Sequence, residues 1–335
     1  MVRVAIIGAT GYTALELLKL LARHPHADVT MVTSRQNAGA PLHEVHPSLE
    51  SLFDLKFSAA DPAQISENAD FVFCCLPHAA SAELVCQLDD SVRVVDFSAD
   101  YRLNDVETYE SLYNIRHPQP ERVGQTVYGL PEWFAADISD ARLVANPGCF
   151  PTTAILALTP LIKDKLIDSS SIIVDSKTGV SGAGRSEKLA FHFPECNENL
   201  WAYNIGKHRH GPEMEQIIQR VTGVQPGITF VPHIIPVTRG ILSTIYIQPT
   251  TGITAESVRA AWREHYQACP FIRLPEQSPQ IANVAYTNYC DLWCEQAGDK
   301  VVLVSTIDNL LKGASGAAVQ NFNLMAGFEQ QLALI

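Results

Sequence analysis

No two Lys or Arg residues stand side by side anywhere in this chain, and its net charge is −12. Nucleic acid and anionic membrane surfaces are held by clustered positive charge, so neither is expected as a partner. No apolar run approaches the roughly 20 residues that a membrane-spanning helix needs. The start, Met1 to Gly8, sets Arg3 beside an apolar run of only about five residues, and glycines follow where a signal peptide would carry its cleavage site. A cytoplasmic location is the resulting expectation. Metal-ligand spacing is also missing. Cys290 and Cys294 have no second pair at ribbon spacing, and no carboxylate–histidine cluster matches a metalloprotease, so no metal is expected. The other cysteines do not suggest a disulfide framework either. Cys74, Cys75 and Cys86 lie in or near apolar segments, where a thiol behaves as a small hydrophobe.

What is present is globular. Charged residues make up only 18% of the chain and apolar ones 47%, which excludes a disordered or collagen-like polypeptide. A length of 335 residues suits two domains. In the first half, short β-rich runs at Val2–Ile7, Val29–Thr33, Phe71–Leu76 and Val92–Phe97 alternate with helical patterns, beginning with Leu15, Leu18 and Leu21. Runs apolar on both faces and separated by helices mean a parallel sheet covered on both sides, a Rossmann-type doubly wound α/β domain. After Pro151 the texture becomes α+β. A strand is expected at Ser171–Val180, and two long neighbouring strands are expected over Thr229–Pro249, broken at Thr238-Arg239-Gly240. A helix from about Ala255 to Gln267 and a strand at Val301–Thr306 complete this unit. The closing stretch, Ser315 to Leu334, reads as an amphipathic helix with Val319, Phe322, Leu324 and Phe328 for burial, packed back on the first domain. The expected domains are residues 1–149 with 313–335 for the nucleotide, and 150–312 for catalysis and assembly.

Gly8-Ala9-Thr10-Gly11-Tyr12-Thr13-Ala14 joins the first strand to the first helix. Glycines there permit a tight turn and close backbone approach, and the helix N-terminus offers N–H groups to a pyrophosphate. The spacing alone also fits a plain strand–helix turn. The second strand ends in Ser34-Arg35 where an NAD enzyme usually carries an acidic residue. A hydroxyl and a guanidinium suit the 2′-phosphate of NADP, although a surface arginine would look the same.

Asn146-Pro147-Gly148-Cys149-Phe150-Pro151-Thr152 is the most informative stretch. A strand ending at Ala145 stops at a Pro-Gly turn, and a helical run follows, which places Cys149 at a helix N-terminus. The dipole and N–H groups there favour a thiolate and an oxyanion, against the alternative of a buried structural cysteine. A base is sought in Lys207-His208-Arg209-His210-Gly211-Pro212-Glu213, just before a helix. The two histidines there are catalytic, metal-binding or part of a solvated loop. An ordinary imidazole titrates near ~6.5, so heavy tuning is not required. Ser181-Gly182-Ala183-Gly184-Arg185 offers amides and a guanidinium to an anion.

The ordered set GATGYTA, Asp100-Tyr101-Arg102, NPGCFPT, SGAGR, KHRHGPE, Pro236-Val237-Thr238-Arg239-Gly240 and Asp308–Gly316 resembles the N-acetyl-gamma-glutamyl-phosphate reductases of arginine biosynthesis. These enzymes are relatives of the aspartate-semialdehyde dehydrogenases. The resemblance runs from Gly8 to about Asn321, nearly the whole chain, with Ala14 standing where many members carry glycine. It implies a semialdehyde-dehydrogenase-like catalytic domain, Cys149 as nucleophile and His208 as acid/base, with His210 as the competitor for that role. It implies Arg102, Arg185, His210 and Glu213 at the substrate. NADP(H) would meet Gly8, Thr10, Gly11, Tyr12, Thr13, Ser34, Arg35, Pro77, Ser181, Gly182, Asn309 and Gly313. The implied reaction is NADPH-dependent reduction of an acyl phosphate through a cysteine thioester, releasing inorganic phosphate, in a homo-oligomer (dimer or tetramer). The alternatives are an aspartyl- or aminoadipyl-phosphate reductase on the same plan, or a non-catalytic NADP sensor.

Overall fold

Short runs of Val, Ile, Phe and Ala build the first sheet of the computed structural model, which describes residues 1–335. The strands are β1 (Val2–Ile7), β2 (Ala27–Thr33), β3 (Phe57–Ser58), β4 (Phe71–Cys74), β5 (Arg93–Asp96), β6 (Val127–Tyr128) and β7 (Leu143–Ala145). They lie in the order β3-β2-β1-β4-β5-β7-β6, parallel throughout. Val4 to Ile7 and Val72 to Cys74 are wholly buried, as strands covered on both faces must be. The order reverses between β1 and β4, which opens a crevice at their carboxyl ends.

The chain divides into two units, residues 1–147 with 314–335, and residues 148–313. The helix Gly316–Met325 completes the first unit. Phe322, fully buried, sets its ring 4.7 Å from that of Phe71 and 5.7 Å from that of Phe73. Asn321 Nδ2 donates to the Gly129 carbonyl. The expected helix to Leu334 is cut short: it stops at Met325, and Gly327 turns the chain with φ +74°.

The second unit holds a mixed sheet of β8 (Ile167–Gly179), β9 (Trp201–Ala202), β10 (Ile228–Ile235), β11 (Ile241–Pro249), β12 (Ile272–Arg273), β13 (Cys290–Ala297) and β14 (Lys300–Ile307), in the order β12-β13-β14-β11-β8-β10-β9. The expectation that the two strands of Thr229–Pro249 are neighbours is wrong. β8 lies between them, parallel to β10 and antiparallel to β11. The connecting Pro236–Gly240 segment crosses the end of β8 and is tied there by Gly179 N to Gly240 O, Val180 N to Val237 O and Ser181 N to Thr238 O.

Against this sheet packs the helix Cys149–Lys163, with every residue from Phe150 to Ile162 buried. Pro160 inside it removes the N–H that would bond the Leu156 carbonyl. The Tyr266 hydroxyl takes that carbonyl instead, at 2.7 Å, and Trp262 Nε1 donates to Ala157 O at 3.0 Å. On the sheet side, Thr153 Oγ1 is 2.6 Å from Ser243 Oγ, which is 2.7 Å from Ser176 Oγ.

Phe322→Ala should destabilise the first unit by about 3–5 kcal/mol, the usual cost of emptying a buried phenyl site. Amide exchange of β1 and β4 by mass spectrometry is the check: it should accelerate there while β8 and β11 keep wild-type rates. Unchanged exchange in β1 would show that this helix does not stabilise the sheet.

Candidate active site

Cys149 is the first residue of its helix, with Gly148 as N-cap at φ −69°, ψ 150°. Four N–H groups at a helix start lack intrahelical partners. Here Gly148 N donates to Glu213 Oε1 at 2.8 Å, and Pro151 has no N–H. The other N–H groups of this first turn are those of Cys149 and Phe150. Glu213 is buried and sits at the turn before Cys149, which sequence reasoning had only associated with substrate.

The helix His210–Thr222 begins two residues earlier than its Pro212 suggests, so His210 is within it and His208 just outside. Both rings gather around Phe150, the residue after the nucleophile, with centroids 5.8 Å (His208) and 5.9 Å (His210) from its ring and 4.7 Å from each other. His208 also meets Phe230 at 5.3 Å and Tyr203 at 5.5 Å. Its Nδ1 accepts from the His210 backbone N–H at 3.1 Å, which assigns the proton of the neutral ring to Nε2. Burial, reinforced by the Arg209 charge, pushes the imidazole down to about 4. The expectation of an untuned histidine near 6.5 is thus overturned: aromatic walls penalise its cation. Tyr203, which sequence reasoning missed, has its phenol pushed up by burial and by the Cys149 charge, so it stays protonated. Its only sequence signal was its position shortly before the histidine run.

A second wall comes from the segment after β14. A Cβ on Gly313 would lie 2.8 Å from Cys149 Cβ, so only glycine fits that approach. Asn309 Nδ2 donates to Ser181 Oγ at 3.0 Å, and Asn309 Oδ1 accepts from Gly240 N at 2.7 Å. Ser181, Gly182, Asn309 and Gly313 are thereby one connected edge. Arg185 lies exposed beyond the turn Val180–Ala183.

In the first unit, the glycine turn expected to face a nucleotide joins β1 to the helix Tyr12–Leu21. Gly8 has φ +77°, and a Cβ there would meet Cys75 O at 2.9 Å, while one on Gly11 would meet nothing closer than Thr13 Oγ1 at 3.9 Å. The helix Tyr12–Leu21 starts at Gly11 with no side-chain cap, which leaves its first N–H groups to an anion. His46 Nε2 donates to the Ala9 carbonyl at 2.8 Å, a brace the sequence did not reveal. Arg35 and Pro77 are exposed, and Ser34 Oγ accepts from Asn37. A cradle that a Cβ would fill, an uncapped helix and an exposed guanidinium fit a phosphorylated dinucleotide. Arg102, by contrast, is buried in this unit and donates to Phe97 O at 2.7 Å. Among residues 1–335 no cluster of metal-ligating side chains is found, and no helix is long and apolar enough to cross a membrane.

Two family models match the chain: the semialdehyde dehydrogenase NAD binding domain over residues 3–141, and the semialdehyde dehydrogenase dimerisation domain over residues 149–309. An N-acetyl-gamma-glutamyl-phosphate reductase from Rhodopirellula baltica is 48% identical, over 99% of this chain and 98% of that one. One from Methanocella arvoryzae is 46% identical over 100% and 98%. Among solved structures, an aspartate semialdehyde dehydrogenase with NADP from Candida albicans aligns with TM-score 0.73 at 15% identity, covering 97% of this chain and 98% of the other. At that identity the likeness is one of fold.

The depressed His208 has a pH consequence. Its pKa falls from 6.5 to about 4 on folding, so between those values the unfolded chain binds more protons. This contribution to stability is present above about pH 6.5 and is lost as pH falls towards 4. Denaturant unfolding should show a stability slope across that window that His208→Gln removes. A slope of equal size in the variant would show that His208 is not buried as a neutral ring.

Proposed function

The chain belongs to the N-acetyl-gamma-glutamyl-phosphate reductases of the semialdehyde dehydrogenase family, and from that membership we propose that it reduces N-acetyl-glutamyl 5-phosphate to N-acetyl-glutamate 5-semialdehyde through a thioester on Cys149. The observation that carries the reading is the placement of Cys149: a cysteine at the first position of a buried helix, with His208 and His210 around the next residue and Tyr203 against His208.

The Cys149 sulfur attacks the acyl carbon, the carbon–oxygen bond to phosphate breaks with its electron pair, and inorganic phosphate leaves. The Cys149 and Phe150 N–H groups, at the start of the same helix, would hold the oxygen while it carries negative charge. The chemistry that reduced nicotinamide supplies, when bound, is a hydride to the thioester carbon. The resulting alkoxide takes a proton from His208 Nε2–H. It returns that proton as the carbon–sulfur bond breaks and the aldehyde forms with Cys149 as thiolate. A neutral His208 suits this order, since it begins as a donor. Tyr203, packed against His208 and kept protonated, would be a second donor.

The first unit is the NAD(P)-binding domain of the family. NADP over NAD is our reading from Ser34 and Arg35, with Gly8, Thr10, Gly11, Tyr12, Thr13 and Pro77 holding the nucleotide. Asn309, Gly313, Ser181 and Gly182 would edge its reactive end, and Arg185, His210 and Glu213 the substrate. Arg102 would also meet the substrate; its Nη2 donates to Phe97 O. The dimerisation domain matched by the second unit supports a homo-oligomer, and eight cysteines without a disulfide support a reducing, cytoplasmic setting.

Three measurements follow. Cys149→Ser should lower turnover by about 10²–10⁴-fold while the Kd for NADPH stays within a few-fold, and retention of a tenth of the rate would refute the thioester route. Arg35→Asp should weaken NADPH and spare NADH. An equal loss for both would show that Arg35 does not read the 2′-phosphate. Phosphate-dependent oxidation of N-acetylglutamate semialdehyde, with aspartate semialdehyde beside it, checks the substrate directly.

A further inference from the structure

Asp308 and Arg239 form a buried ion pair in the second unit. Arg239 Nε is 3.0 Å from Asp308 Oδ2, its Nη2 is 3.3 Å from Oδ1, and their side chains are 6% and 0% exposed. The carboxylate is saturated by backbone as well. Leu310 N and Leu311 N donate to Oδ1 at 2.8 and 3.0 Å, and Tyr286 N donates to Oδ2 at 2.7 Å. The main-chain carbonyl of the same residue accepts from Gly313 N at 2.9 Å. One residue therefore closes both ends of the turn from 308 to 313. That turn ends at Gly313, where an added methyl would lie 2.8 Å from Cys149 Cβ and 3.2 Å from its Cα. The other side of the pair is covered by Tyr286. Its ring lies 4.4 Å from the Arg239 guanidinium carbon, and its backbone is held at φ +64° although the residue is 70% exposed. A bulky residue rarely adopts that conformation unless the surroundings require it.

We propose that Asp308, with Arg239, is a positioning residue for Cys149: the pair fixes the Gly313 wall against the nucleophile and so sets the direction from which its sulfur meets the acyl carbon. This deepens the thioester reading above and rests on it. The pair touches neither reactant. Its influence runs through the 308–313 backbone, and an orientation error of about 1 Å at a reacting atom is enough to cost ~10²-fold in rate.

Acylation by the acyl phosphate needs an aimed sulfur, whereas alkylation by iodoacetamide needs only an accessible thiolate. The test compares the two in Asp308→Asn, without NADPH. The burst of inorganic phosphate measures acylation, and mass-mapped carbamidomethylation of Cys149 measures alkylation. The expected result is a burst slowed at least tenfold with alkylation of Cys149 within about threefold of wild type and the buried Cys74 and Cys290 unlabelled. A burst rate equal to wild type, or acylation and alkylation falling together, would overturn the proposal. If Asp308→Asn does not fold, labelling of Cys74 and Cys290 reveals it, and Tyr286→Ala carries the test because its side chain is exposed. That variant should slow the burst with unchanged alkylation, and a wild-type burst would overturn the proposal. A wild-type enzyme with no burst at all would remove the thioester reading instead.

Discussion

The helix that begins at Cys149 is buried from its second residue almost to its end, and the chemistry of the second unit depends on that constraint. A helix packed on one side only could slide or roll by part of a turn. This one is held by apolar burial, by the Thr153–Ser243–Ser176 hydroxyl chain below it, and by Trp262 and Tyr266 donating to its mid-helix carbonyls. Pro160 looks like a defect in sequence, yet it frees the Leu156 carbonyl that Tyr266 binds. The N-terminus therefore points where the packing sends it. Cys149 inherits its position from the buried residues of its helix and those packed against it.

Around that fixed point the electrostatics are arranged for giving protons. His208 among Phe150, Phe230 and Tyr203 pays too large a desolvation cost to be a cation near neutrality. Its Nδ1 is engaged by the His210 N–H, so the ring presents Nε2–H. Tyr203 is held protonated by the same burial. Glu213 brings a carboxylate to the turn, where its Oε1 accepts from Gly148 N–H. A site built this way suits the proposed reduction of an acyl group through a thioester on Cys149.

Much of this was legible beforehand because local chemistry dictated it. The Pro-Gly turn before Cys149 and the apolar run after it place the cysteine on a helix start, as Gly8 and Gly11 place the nucleotide turn. What could not be read depends on tertiary neighbours. The insertion of β8 between β10 and β11 leaves no periodicity signal, because both strands alternate alike whichever neighbour they pair with. The depressed His208 follows from phenyl rings brought in by Phe150 and Phe230, far apart in the chain. Asp308 and Arg239 stood in quoted motifs, but only the fold shows that they bind each other. Arg102 was readable as an arginine after a strand, while its bond to Phe97 O was not.

The central claim is a covalent acyl group on one sulfur, and the most direct measurement is the mass of the protein itself. Mixed with N-acetyl-glutamyl 5-phosphate in the absence of NADPH and quenched in acid, the chain should gain one N-acetylglutamyl group. That group should map to the peptide containing Cys149 and be released by hydroxylamine. An unchanged mass, or an adduct on a different residue while the enzyme turns over normally with NADPH, would contradict the account.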